Sequence, residues 1–128
     1  MPEYMLLLYG SESADEAERA QRWAEMPLWD AVNASLREAG VLVAHAPLHG
    51  VATATTVRVR GDETELTDGP FAVTKEVLAG YYVLVCPDLD EAIRHAASLP
   101  WARYGSVEVR PVVADDELPR PDRSAGES

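Results

Sequence analysis

The run Gly80-Tyr81-Tyr82-Val83-Leu84-Val85-Cys86 decides the fold. Neither of its two alternating sets of side chains is polar, so it does not read as a strand with one wet face. A strand covered by protein on both sides reads this way. Pro87 ends it, and Asp88-Leu89-Asp90-Glu91 opens a helix that carries Leu89, Ala92, Ile93, Ala96 and Ala97 at helical spacing until Pro100. A second run of the same kind, Glu3-Tyr4-Met5-Leu6-Leu7-Leu8-Tyr9, stands before Gly10-Ser11.

Between these two runs the punctuation is clear. Ser13-Ala14-Asp15-Glu16 has the spacing of a capping box, with Ser13 and Glu16 satisfying each other's amides. The helix it starts is interrupted at Pro27. A second helical stretch carries Leu28, Val32, Leu36 and Ala39 on one face, with Gly40 as its stop. Val41–Leu48 reads as a strand that turns at His49-Gly50. Thr53–Arg60 alternates, Val57 and Val59 opposing Arg58 and Arg60. Gly61-Asp62-Glu63 suits a hairpin loop, Thr64–Thr67 its return strand, and Asp68-Gly69-Pro70-Phe71 a turn cluster.

After the helix that Pro100 closes, Ser106–Val113 alternates again, Val107 and Val109 opposing Glu108 and Arg110. From Ala114 onward the composition is Pro-, Asp- and Ser-rich. This predicts a domain over residues 1–113 and a disordered tail over 114–128.

The order strand, helix, strand, hairpin partner, strand, helix, strand predicts an α+β fold. Two right-handed crossovers give a ferredoxin-like (split βαβ) antiparallel sheet with two helices on one face and the doubly apolar strands at its centre. The opposite face is then bare yet apolar. A homodimer through the open sheet face resolves that conflict.

Composition bounds the function. The chain has 128 residues, enough for one ordinary core, and a formal net charge of -11. That balance argues against nucleic acid and against an anionic membrane surface, both of which need clustered cations. One cysteine, Cys86, excludes an internal disulfide, and its apolar surroundings suit a small buried hydrophobe. The opening residues lack the basic flank and length of a signal peptide or span, so a cytoplasmic location is expected.

The segment Asp68-Gly-Pro-Phe-Ala-Val-Thr-Lys-Glu76 resembles the signature of the DGPF family, within the wider YCII-related group. Gly40-Val41-Leu42, Gly80-Tyr-Tyr-Val83, Asp90-Glu91-Ala92 and Val107-Glu-Val-Arg-Pro-Val112 add to the likeness, which spans nearly everything but the tail. The resemblance implies a dimeric α/β barrel and little about activity. Many members are encoded near extracytoplasmic-function sigma factors, which implies an accessory role. Val73 stands where most DGPF members carry an acidic residue. No histidine lies between Ser11 and Gly40, where the YCII branch tends to carry one.

Candidate catalytic residues are His45 and Asp68, and candidate ligand-binding residues are Lys75, Glu76 and Tyr81. His45 lies inside an apolar strand; it is either a buried, hydrogen-bonded histidine or a pocket-facing imidazole that titrates near neutrality. Asp68 suits a turn that accepts backbone amides, with Phe71 anchoring the loop in the core. In the other reading Asp68 faces a cleft with Lys75 and Glu76, where acid and base transfer a proton or clamp a polar ligand; otherwise that pair only orders the loop. Tyr81 and Tyr82 point to opposite faces.

Arg58, Arg60 and Arg110 either gather an anion or guard strand edges. Trp23, Trp29 and Trp101 read as packing anchors. His49 falls in a turn and His95 on the polar side of its helix, so the histidines show no zinc spacing, and neither a metal nor a cofactor is expected. Three functions remain: a dimeric module binding a small molecule, a small acid–base enzyme with a pocket between sheet and helices, and a protein-interaction regulator.

Overall fold

The computed structural model describes residues 1–12 and 15–119. In chain order the regular elements are β1 (Glu3–Gly10), α1 (Glu16–Ala24), α2 (Met26–Glu38), β2 (Leu42–Pro47), β3 (Thr55–Arg60), β4 (Glu63–Asp68), β5 (Val77–Val85), α3 (Leu89–Ser98) and β6 (Ser106–Pro111). Four strands form an antiparallel sheet in the order β2-β5-β1-β6, so the two doubly apolar strands are central. This is the ferredoxin-like α+β arrangement expected from the sequence. No described helix is long and apolar enough to cross a membrane.

Register assigns the faces. Leu6 pairs with Tyr82 and Val109, and Tyr4 with Leu84 and Pro111. Tyr4, Leu6, Leu8, Tyr82 and Leu84 are buried with Leu36 and Ala92 in one core on the helix side. The alternate set, Met5, Leu7, Tyr9, Tyr81, Val83 and Val85, is only half-buried on the other side. Each central strand is therefore apolar on both faces while a single chain covers one of them.

The helices differ from expectation in instructive ways. Asp15 is the N-cap of α1, its Oδ1 accepting from the Glu18 amide at 2.8 Å; Ser13 lies outside the described residues. The break falls at Glu25, and Pro27 sits in the first turn of α2, where its missing N–H costs nothing. On α2 the inward residues are Trp29, Val32, Asn33 and Leu36, whereas Leu28 and Ala39 are exposed. Steps of four residues drift by about 40° each, whereas seven residues return almost to the same line, so Trp29 aligns with Leu36.

On α3 the face turned to the core is Ala92 and Ala96, with Glu91 and His95 half-buried beside it, while Leu89, Ile93 and Ala97 are exposed. Two alanines let this helix approach the sheet closely. His95 is consequently not the surface residue its neighbours suggested.

β3 and β4 form a separate two-stranded sheet joined at Gly61, which adopts φ 64°. Arg58 opposes Glu65 and Arg60 opposes Glu63 across this ladder, whereas Arg110 lies on β6 of the larger sheet. Phe71 is 78% exposed and does not anchor its loop in the core. Of the expected tail, residues 114–119 are exposed and include a 3-10 turn at Asp115–Glu117, while 120–128 lie outside the described residues.

Candidate functional site

Two register shifts mark the β2–β5 edge, one at Val43 and one at Ala79, the latter seen in the β1–β5 pairing. Such bulges re-aim strands beside sites. Gly80 follows the second. A methyl on Gly80 would stand 2.8 Å from the Ala46 carbonyl oxygen, so only glycine lets β5 pass so close to β2. Above this floor, between the sheet and α1–α2, lies a cleft of about 390 Å³.

Aromatic rings build its wall. The Tyr82 ring lies 5.1 Å from His45 and 6.2 Å from Trp29, within about 16° of parallel to each. The Tyr82 hydroxyl donates to Asn33 Oδ1 on α2. Burial pushes that hydroxyl up to about 12, against the opposing pull of the Asn33 hydrogen bond and the Arg37 charge. Tyr82 is thus a neutral phenol at physiological pH, a fixed wall rather than a base. His45 Nε2 meets Arg37 Nη2 at 3.4 Å; a guanidinium only donates, so this contact requires the tautomer with its proton on Nδ1.

The far end is set by Trp101, whose indole N–H donates to the Tyr9 carbonyl at 2.8 Å. Arg22 lies over both the Trp101 and Tyr104 rings, 5.3 and 4.9 Å from their centroids, and pairs with Glu18 at 2.8 Å. Burial, with Glu25 beside it, pushes the Tyr104 hydroxyl above its ordinary range. Arg19 joins Arg22 in the lining, and the described residues that line the cleft include no carboxylate. The arrangement offers a flat apolar body aromatic surface to pack against, with Arg19 and Arg22 as the cationic residues of the lining.

Of the residues singled out from sequence, His45 lines this cleft and Tyr81 borders it. Alternation places the Tyr81 side chain opposite Tyr82, in register with Leu7 and Ala46, so Tyr82 is the tyrosine on the helix side. Asp68, Lys75 and Glu76 are not among the lining residues. Asp68 ends β4 opposite Thr55; Gly69, at φ 96°, donates its amide to the Ala54 carbonyl and accepts from Thr56 Oγ1. That loop closes the base of the hairpin, and Lys75 and Glu76 are exposed beyond it. His45 and Asp68 are not brought together as an acid–base pair.

A second cluster was missed. Cys86, just beyond β5, meets Glu91 and His95 of α3, and one ligand-capable atom from each lies within 4.8 Å of the others. The spacing of the histidines alone does not reveal it. The signal was the Glu91-x-x-x-His95 step, one helical turn, beginning five residues after Cys86.

The profile of the YCII-related domain matches residues 3–115. An uncharacterised protein of Rhizobium meliloti (strain 1021) is 40% identical over 112 residues, covering 85% of this chain and 90% of that protein.

Proposed function

This chain belongs to the family of YCII-related domains, and from that premise we propose that it is a dimeric module binding a small molecule: a flat, largely apolar compound with an anionic group. The observation that carries this reading is the cleft. Its wall is Trp29, Tyr82, Trp101 and Tyr104, and its charged lining is Arg19 and Arg22. A chain of formal net charge -11 repels anions over most of its surface. A recess lined by Arg19 and Arg22 therefore favours an anion whose apolar body also fits.

The dimeric part of the proposal rests on the open sheet face. Met5, Leu7, Val83 and Val85 form its apolar middle, and Glu108 and Arg110 stand in register with Leu7 and Met5 on β6. A patch with both charge signs at one border suits a two-fold partner, in which each protomer offers the other the opposite sign.

Catalysis is the second reading, favoured by one observation: the His45 imidazole reaches the cleft. Asp68 is not among the residues lining the cleft, so this reading needs the ligand itself to supply the second titrating group.

The test is an equilibrium titration, followed by tryptophan fluorescence, of aromatic carboxylates such as benzoate and naphthoate against their neutral amides. The carboxylates are expected to bind more tightly, and Arg22→Met is expected to remove the difference. Equal affinity for acid and amide in the native chain would overturn the anionic part, and no binding by either would overturn the whole.

A further inference from the structure

We propose that Cys86, Glu91 and His95 form a binding site for one divalent ion of the zinc class. None of the three lines the aromatic cleft, so this site is independent of the function proposed above.

The cluster arises from the join between β5 and α3. Cys86 is the first residue beyond β5, fully buried, with its amide donated to the Pro2 carbonyl at 3.1 Å. Asp88 caps α3, accepting the Glu91 amide through Oδ1 at 2.9 Å. That cap fixes the start of the helix, so Glu91 and His95, one turn apart, present their side chains on the flank that meets Cys86.

His95 Nε2 supplies a separate observation. It is buried and has no hydrogen-bond partner among the described residues. Buried polar nitrogens are nearly always partnered, and an orphan of this kind asks for an explanation. An ion between imidazole, carboxylate and sulfur provides one.

The donor set chooses the ion. Magnesium and calcium take oxygen, whereas one thiolate, one imidazole and one carboxylate suit zinc and cobalt. Ligands bound at about 2.0–2.3 Å around a tetrahedral ion stand about 3.3–3.8 Å from one another. The three atoms lie within 4.8 Å, so modest side-chain rotation closes the site. Three protein ligands leave one position of a tetrahedral ion for water or another small ligand. Binding releases the thiol proton to solvent and forms the metal–sulfur bond, with no change of oxidation state. The ion would lock the β5 end to α3.

The test uses the full, untagged chain, stripped with chelator and titrated anaerobically with Co(II). Uptake of one ion per chain is expected, with thiolate-to-cobalt charge transfer in the near ultraviolet that Zn(II) then abolishes. Cys86→Ser should lose the charge-transfer band. His95→Gln should keep the native circular dichroism yet lose the rise in Tm that zinc gives the native chain. His45→Gln and His49→Gln should bind as the native chain does. No cobalt uptake by the native chain, or uptake undiminished by His95→Gln, would overturn the proposal, and His95→Gln decides it even if Cys86→Ser fails to fold.

Discussion

The Tyr82 hydroxyl on β5 donates a hydrogen bond to Asn33 Oδ1 on α2, joining residues 49 apart in sequence across the wall of the cleft. The bond holds the Tyr82 ring flat between Trp29 and His45. Its two halves are not equivalent, because Tyr82 is 4% exposed whereas Asn33 is half-buried.

That asymmetry gives a first prediction. Tyr82→Phe removes the donor and leaves Asn33 within reach of water, at a cost of about 1 kcal/mol. Asn33→Ala strands a buried phenol, at a cost of about 2 kcal/mol. Urea unfolding of both variants checks the order; equal or reversed losses would show that the hydroxyl already finds water in the cleft.

Tyr82 also predicts an alkaline weakness. Its folded pKa of about 12 lies above the ordinary 10.0, so folding favours the protonated form. The contribution is complete below pH 10 and is lost as pH rises from 10 towards 12. Denaturation midpoints measured at stepped alkaline pH should fall more steeply for the native chain than for Tyr82→Phe. A residual slope should remain in the variant, because Tyr104 is shifted in the same direction.

Gly105 predicts a steric failure. A Cβ there would sit 2.3 Å from Trp101 Nε1 and 2.6 Å from the Tyr9 carbonyl oxygen, where the indole hydrogen bond is made. Gly105→Ala should cost about 2–3 kcal/mol by displacing Trp101 and should shift tryptophan emission. A near-native Tm with unchanged emission would contradict the packing described for this end of the cleft.

Adjacent residues of β5 predict opposite outcomes. Leu84 is fully buried on the helix side, so Leu84→Asp should abolish folding. Val83, in register with Met5 and Ala44 on the open face, should tolerate Val83→Asp in the fold but lose the proposed dimer. Sedimentation and circular dichroism separate the two effects. A folded Val83→Asp variant that still dimerises would contradict the proposed interface.

Much of the fold was legible because it rests on periodicity. The nearly continuous apolar run at Glu3–Tyr9 and the unbroken one at Gly80–Cys86 named the central strands, and Pro87 and Gly40 marked real boundaries. Small offsets were not legible. Leu28 or Trp29 as the inward residue of α2 depends on drift within a turn, and Leu89 and Ile93 were assigned inward on hydrophobicity when two alanines make the close contact. The hairpin's separation from the main sheet is a tertiary outcome that local alternation cannot report.

The cleft was half legible. His45 stood out as a titratable residue in an apolar strand, and it does line the recess. Its neighbours come from α1, α2 and the segment around Trp101, brought together only by the crossovers. The Asp68–Glu76 segment attracted attention through composition, and its glycine is explained by the φ of 96° that the turn requires.

The most direct test of the central claim is chemical-shift mapping of the isotopically labelled chain as an aromatic carboxylate is added. Shifts are expected for the Trp29 and Trp101 indole N–H, the His45 imidazole and the Arg22 side chain, with residues 68–76 unmoved. Shifts confined to residues 68–76, or none at saturating ligand, would contradict it.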